Sequence, residues 1–367
     1  MRRLFAILML VLAACTPRGE MVIDPQAAAV GQVNSVYVGT SRKLEAGTLR
    51  FDAGRSEHMA LARYDISVPP GHSAGHIEWP KRNRPPDPAT QFLTTGRTIY
   101  PTDTRFRGDL SQALRRRGGE ATIFVHGFNN TFDEGIYRIA QLSHDLRLPG
   151  VTMHFSWPSA GSPLGYVSDR DSALFSRDGL EALIRQTRAA GARKIYLVAH
   201  SMGSQLTMET LRQIAISGDR DLIGHIGGVV LISPDIDVDV FREQASRIGQ
   251  LPQPFVIFGS PRDRMLRLSA LLTGQDDRVG TLADVKRLAD MKVTYLDVEA
   301  FSTGVGHFNI GDNPALIQIF SRIADVDTAL GAEGRRVGLL DGAVLTVQRA
   351  TQIVLSPVEA VANGVRN

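Results

Sequence analysis

Three features of this chain predict an α/β domain with a mostly parallel central sheet and helices on both faces. Short apolar, β-branched runs alternate with helical patterns from Ala121 to about Leu330, the order that builds a parallel sheet between helical layers. One such run, Ile195 to Val198, contains no charged residue, as expected for a strand buried on both faces. It runs directly into Ala199-His200-Ser201-Met202-Gly203, where small residues flank a serine at a strand-to-helix turn too tight for larger side chains. With 367 residues, 43% of them hydrophobic and 22% charged, the chain has room for one large domain and appendages.

The amino terminus stands apart from that domain. Arg2 and Arg3 precede an apolar run from Leu4 to Ala14, which is too short to span a bilayer and suits a secretory signal. Leu12-Ala13-Ala14-Cys15 resembles the bacterial lipobox, cut just before its cysteine. The resemblance implies a signal peptide over residues 1–14 and a mature protein that begins at a lipidated Cys15. Several acyl chains anchor stably where one would be marginal. Thr16 stands where Asp would signal inner-membrane retention, so an outer-membrane anchor facing the periplasm is expected. Cys15 is the one cysteine of the chain, so the exported domain is expected to fold without disulfides.

Net charge is +3, and +1 once Arg2 and Arg3 leave with the signal. Arg115-Arg116-Arg117 carries no interleaved aromatic residues and reads as a solvated loop between elements. Nucleic acid is not an expected partner.

Residues 15–33 show little periodicity and read as a tether; the domain itself is expected over residues 34–330. Asn34 to Arg42 and His58 to Val68 read as strands, the second carrying Met59, Leu61, Tyr64, Ile66 and Val68. Pro69-Pro70-Gly71 ends it, a Pro-rich stretch follows through Pro88, and Phe92 to Tyr100 leads to the core. Ala121 to Val125 is a strand and Asn130 to Leu146 a helix, with Thr131 and Glu134 spaced as a capping box. Val151 to Trp157 is the next strand, followed by helical pattern from Ser168 to Ala190 that should break near Gly179.

After the Ser201 turn and its helix come strands at Gly228 to Ile232, Pro254 to Gly259 and Val293 to Val298. Pro314 is placed to open a helix reaching about Leu330. Only one short helix fits between Ile232 and Pro254, which leaves little room for a cap domain and predicts an open cleft, roofed by the Pro-rich segment. In the tail, residues 331–367, Leu340, Val344, Val347, Thr351 and Val354 recur at helical spacing, so a helix is expected, packed on the domain rather than lying on a membrane surface.

A serine is a weak nucleophile until a base takes its proton and a third group orients the base. Ser201 is expected above a strand end and at a helix N-terminus, where free amides hold an oxyanion. For such an elbow the chain order is serine, acid, histidine. Asp263 follows the strand Phe255 to Phe258, and His307 follows the last core strand. Asp263 would hold the His307 imidazole in the useful tautomer, and His307 would deprotonate Ser201. Asp235, Asp237 and Asp239, after the preceding strand, compete for the acid's role.

The oxyanion donors are expected at Met202, directly after the serine, and at Phe128 in His126-Gly127-Phe128-Asn129, the turn after the Ala121 strand. His126 should brace that turn, and His200 should pack beneath the elbow, because adjacent strand residues face opposite ways. His72 and His76 are four apart, but Pro70 and Gly71 disfavour a helix there and no third ligand is evident. Phosphate-loop and dinucleotide-binding patterns are missing from the sequence. No cofactor and no metal is expected.

Taken together, Phe124-Val125-His126-Gly127-Phe128-Asn129, Ala199-His200-Ser201-Met202-Gly203, Ser233-Pro234-Asp235-Ile236-Asp237 and Gly306-His307 resemble the bacterial α/β-hydrolase family of domain of unknown function 900. Asp263 followed by Leu266, Ser269 and Arg278-Val279-Gly280 also resembles that family's acid loop, although Arg264-Met265 replaces smaller residues. The resemblance covers about residues 34–330. It implies the α/β-hydrolase fold and a hydrolase-type triad, without a substrate. The expected activity is cleavage of an ester or thioester, in a small molecule or a lipid, through an acyl-enzyme. A catalytically silent envelope scaffold and an acyltransferase using the same triad are the alternatives.

Overall fold

The computed structural model describes residues 18–274, 277–301, 342–347 and 350–355. Cys15, His307 and the helix expected from Pro314 lie outside these residues. The described strands form one sheet of 11 strands. Strands β1 (Gln32–Leu44), β2 (Phe51–Val68) and β3 (Leu93–Tyr100) make an antiparallel meander at one end. After α1 (Asp103–Arg116), the chain alternates through β4 (Glu120–Val125), α2 (Phe132–Leu146), β5 (Val151–Ser156), α3 (Tyr166–Phe175) and α4 (Arg177–Ala189). It continues through β6 (Lys194–His200), α5 (Met202–Ile216), α6 (Arg220–Gly224), β7 (Ile226–Ile232) and α7 (Val238–Ile248). Then follow β8 (Phe255–Gly259), α8 (Arg264–Thr273), β9 (Val293–Asp297), β10 (Gly342–Val347) and β11 (Ala350–Leu355).

The spatial order is β10-β11-β9-β8-β7-β6-β4-β5-β1-β2-β3. The stretch from β5 to β9 is parallel throughout. The order reverses at β4, with β5 on one side and β6 on the other. Such a switch point opens a crevice beyond the strand carboxyl ends.

Side-chain alternation divides the core between the two faces of the sheet. Ile123, Leu197 and Ile257 join one apolar cluster, with Phe106, Leu183, Leu211 and Phe241 of α1, α4, α5 and α7. Their neighbours Phe124, Val198 and Phe258 join the other, with Ile136, Tyr137 and Ile139 of α2. Helix α2 carries the expected capping box: Glu134 N–H donates to the Thr131 hydroxyl, and Thr131 N–H donates to the Glu134 carboxylate.

Four local expectations are corrected. The helical pattern breaks at Ser176, not Gly179; the Ser176 hydroxyl bonds back to Ser172 and across to Ser41 of β1, each at 2.7 Å. Arg115 and Arg116 lie in the last turn of α1, where cations suit the helix dipole. The tail contributes no helix over its described residues. Instead β10 and β11 form a hairpin whose second strand runs parallel to β9. The unpaired edge of β9 offers a ladder of donors and acceptors, and Val344, Thr346, Val347, Thr351, Ile353 and Val354 favour extended backbone.

The expected tether is also more than a tether, being docked on the domain from Arg18 onward. The Arg18 guanidinium pairs with both Glu134 oxygens and donates to Asn129 and to the Gly161 carbonyl. Gly19 lies against the Trp79 indole with no room for a Cβ. The backbone of Thr94 bonds to Val22 and Asp24, adding a short segment beside β3. Polar capture and main-chain pairing leave no hydrophobic period to read.

The Pro-rich segment is clamped onto α2 by His72. Its Nδ1 lies 2.8 Å from Glu78, and its Nε2 lies 2.8 Å from Asp145. Trp79 stacks on Tyr137 of α2, with ring centroids 4.9 Å apart.

Candidate active site

Strands β4 and β6 lie side by side with Val125 opposite Ala199, so the turns that follow them meet. Ser201 sits in the second turn at φ 51°, ψ −122°, a conformation that L residues rarely adopt and that needs support from its surroundings. That support is visible. Ser201 N–H donates to Ile232 O at 2.9 Å, while Ser201 O accepts from Ser204 N–H at 2.9 Å and from Asp235 N–H at 3.3 Å. Ser201 is 5% exposed and immediately precedes α5.

Close packing explains the glycines on either side of this contact. A Cβ at Gly203 would stand 2.4 Å from His126 O and 2.6 Å from Val125 O. A Cβ at Gly127 would stand 2.7 Å from His200 Nδ1 and 3.0 Å from Ser201 Cβ. The motif thus needs its second glycine for approach of helix to strand, while Ala199 is tolerated at the first small position.

The turn after β4 is held from several directions. His126 is 1% exposed; its Nδ1 and Nε2 stand 2.9 and 3.0 Å from the carbonyls of Gly127 and Trp157. Its ring stacks on Trp157, whose Nε1–H donates to His126 O. Burial, then the charge of Arg42, hold its pKa well below the usual histidine value. A neutral, wedged imidazole is a brace.

Arg42, 2% exposed, donates to the carbonyls of Asn130 and Ser159 and to the Ser156 hydroxyl; burial lowers its pKa to about 10. Asp169 accepts from the Ser159 hydroxyl at 2.6 Å and from Ala160 N–H at 2.7 Å. Arg18 adds its bonds to Asn129 from outside. Among the described residues, the amide N–H groups of Phe128 and Met202 have no acceptor.

His200 is half-buried, and a Cβ at Gly127 would stand 2.7 Å from its Nδ1. It lines a cavity of about 240 Å³ with Arg18, Trp79, His126 and Glu134.

The candidate acids differ sharply in surroundings. Asp263 is fully buried, and its Oδ1 accepts the amide N–H groups of Met265 and Leu266 at 3.0 and 3.1 Å, capping α8. Asp235, 4% exposed, is engaged by the hydroxyls of Ser269 and Tyr166 at 2.5 and 2.8 Å. It also pairs with buried Arg278 at 3.1 Å. Ser269 and Arg278, which follow Asp263 in sequence, therefore serve Asp235. Asp237 caps α7, and exposed Asp239 pairs with Arg287.

Sequence reasoning missed Arg18, Arg42, Asp169 and Tyr166, whose ring packs edge-on against Phe128 at 5.4 Å. None carries a local pattern that signals the contact.

Residues 102–322 match the model of a family described as alpha/beta hydrolase of unknown function, DUF900. This chain belongs to that family. A stretch of 61 residues is 46% identical to the uncharacterized protein alr1448 of Nostoc sp. strain PCC 7120, spanning 16% of this chain and 16% of that relative's length. Among solved structures, esterase B of Lactobacillus rhamnosis is similar at a TM-score of 0.40 and 11% identity, over 83% of this chain and 91% of that one. An esterase of Pyrobaculum calidifontis gives 0.37 and 12%, over 87% and 90%. The DUF900 match spans β4, the Ser201 turn and the Asp263 loop.

Proposed function

We propose that this DUF900 protein is a lipid-anchored serine hydrolase that cleaves a carboxylic ester or thioester through an acyl-enzyme. The observation that carries the reading is the Ser201 turn: a positive-φ serine between a central strand and a helix N-terminus, with the β4 turn packed against it. In the proposed reaction His307 Nε2 takes the Ser201 proton as Oγ attacks the substrate carbonyl carbon. The amides of Phe128 and Met202 hold the resulting oxyanion. Collapse expels the alcohol or thiol, which leaves with the proton from His307, and water then releases the acid by the same steps. Asp263 orients the imidazole; its burial and its capping bonds to α8 fix the carboxylate, whereas Asp235 is committed to Arg278, Ser269 and Tyr166. Neither a metal nor a cofactor is needed for this chemistry.

Cys15 carries the anchor in this reading, placing the domain on the outer membrane facing the periplasm. A fluorophosphonate probe tests the chemistry: wild type should be labelled at Ser201 and Ser201→Ala should not. An unlabelled wild type would favour the silent scaffold. Product analysis with an added alcohol acceptor separates hydrolysis from acyl transfer. Fatty-acid labelling of wild type and Cys15→Ser tests the anchor.

A further inference from the structure

Resting on that reading of Cys15 and Ser201, we propose that the rim formed by the start of α3 with the loop before it and by α8 docks on an anionic lipid bilayer, and that the substrate is an acyl ester resident in it. Leu164 and Val167 are 96% and 73% exposed, and Leu268, Leu271 and Leu272 are 48%, 79% and 62% exposed. Tyr166 Oη lies 2.6 Å from Ser269 Oγ, which ties the start of α3 to α8. On α8 the three leucines share one outward face by their spacing of three and four, while Leu266, Ser269 and Ala270 point inward and are buried. Single exposed apolar residues are ordinary, whereas a contiguous group marks a contact surface.

Charge and chain path select the occupant. Helix α8 exposes Arg264 and Arg267 beside its leucines and contains no acidic residue, the composition of a helix that lies on an anionic membrane surface. The rim borders the candidate site, since Tyr166 packs on Phe128 and α8 begins at its Asp263 cap. Arg18 is fixed to the carbonyl of Gly161, three residues before Leu164. Cys15 is three residues before Arg18, a reach of at most about 11 Å of extended chain. In this proposal a lipid on Cys15 stays within that reach of Arg18 and so holds the rim near the bilayer.

The test uses the full lipidated chain in vesicles of phosphatidylglycerol and phosphatidylethanolamine. Leu271→Cys, labelled with an environment-sensitive fluorophore, is compared with Ile216→Cys, at the opposite end of α5 from Ser201. The proposal expects spin-labelled lipid to quench the Leu271 probe several-fold and to leave the Ile216 probe unchanged. Equal responses at the two sites overturn it. So does a Leu271 probe shielded from both aqueous iodide and spin-labelled lipid, which would mean that a protein partner or residues 302–341 of this chain cover the rim.

A functional arm replaces Leu164 and Leu271 together by Glu. That variant should keep turnover on a water-soluble ester within about twofold and lose tenfold or more on the same acyl group presented in vesicles; equal loss on both substrates overturns the docking. Missing fatty-acid label at Cys15, or no wild-type turnover on the soluble ester, strikes the parent reading and removes the inference with it. Label and soluble turnover without site-selective quenching removes the docking alone.

Discussion

Gly127 presses directly on Ser201: a Cβ on the glycine would stand 3.0 Å from the serine Cβ. The contact follows from the β4–β6 register, which pairs Val125 with Ala199 and delivers both turns to one point. Gly127→Ala should push the Phe128 amide away from the position where an oxyanion forms. Loss of one such donor costs on the order of 10²–10³ in turnover. Steady-state rates on an activated ester, with circular dichroism to verify folding, check this. A variant with unaltered kcat would remove Phe128 from the proposed oxyanion site.

Ser201 and His307 are expected to act as one unit. A serine without its base is nearly inert, and a base without its serine has nothing to activate. Ser201→Ala, His307→Ala and the double variant should therefore share one low residual rate, sustained by the oxyanion donors and by binding. Multiplicative losses in the double variant would assign the two side chains independent roles.

Asp263→Asn and Asp235→Asn should separate chemistry from architecture. Asn caps helices about as well as Asp, so Asp263→Asn should keep α8 and its melting temperature while turnover falls on the order of 10⁴. Asp235→Asn removes the carboxylate 3.1 Å from buried Arg278 and should cost about 3 kcal/mol of stability. Thermal melts and kcat measured on both variants decide the assignment. If the large kinetic loss sits at Asp235 with Asp263→Asn near wild type, the acid belongs to the β7 loop.

The His72 clamp predicts a pH-dependent stability. Burial alone would lower the His72 pKa, but the hydrogen bonds and charges of Asp145 and Glu78 outweigh it and raise the value above 6.5. Burial would raise Asp145, yet its bonds to His72, Gly75 and Gln141 lower it. A raised histidine pKa stabilises the fold fully below the unfolded value and loses that contribution as pH rises through the folded one. The difference in melting temperature between wild type and His72→Gln should therefore be larger near pH 6 than near pH 9. A difference that is flat across that range would mean that His72 acts as a neutral hydrogen-bonding residue.

Most of the scaffold was legible because its signals are local. An unbroken apolar run such as Ile195 to Val198 reads as a buried strand wherever it occurs, the Thr131–Glu134 box closes within one helical turn, and the small residues around Ser201 form a pattern legible within five positions. The chain order of Ser201 after β6 and Asp263 after β8 follows from the same alternation. Tertiary structure decided the rest, because the deciding energies arise between segments far apart in sequence. Arg18 reads as tether until Glu134, Asn129 and Gly161 converge on it. Leu340 to Val354 reads as helix until the β9 edge offers partners. Asp235 and Asp263 are alike as sequence. What distinguishes them is that folding brings Tyr166, Ser269 and Arg278 to the first and sets the backbone amides of Met265 and Leu266 on the Oδ1 of the second. A buried carboxylate takes its role from the donors around it, and those donors are assembled only when the sheet closes.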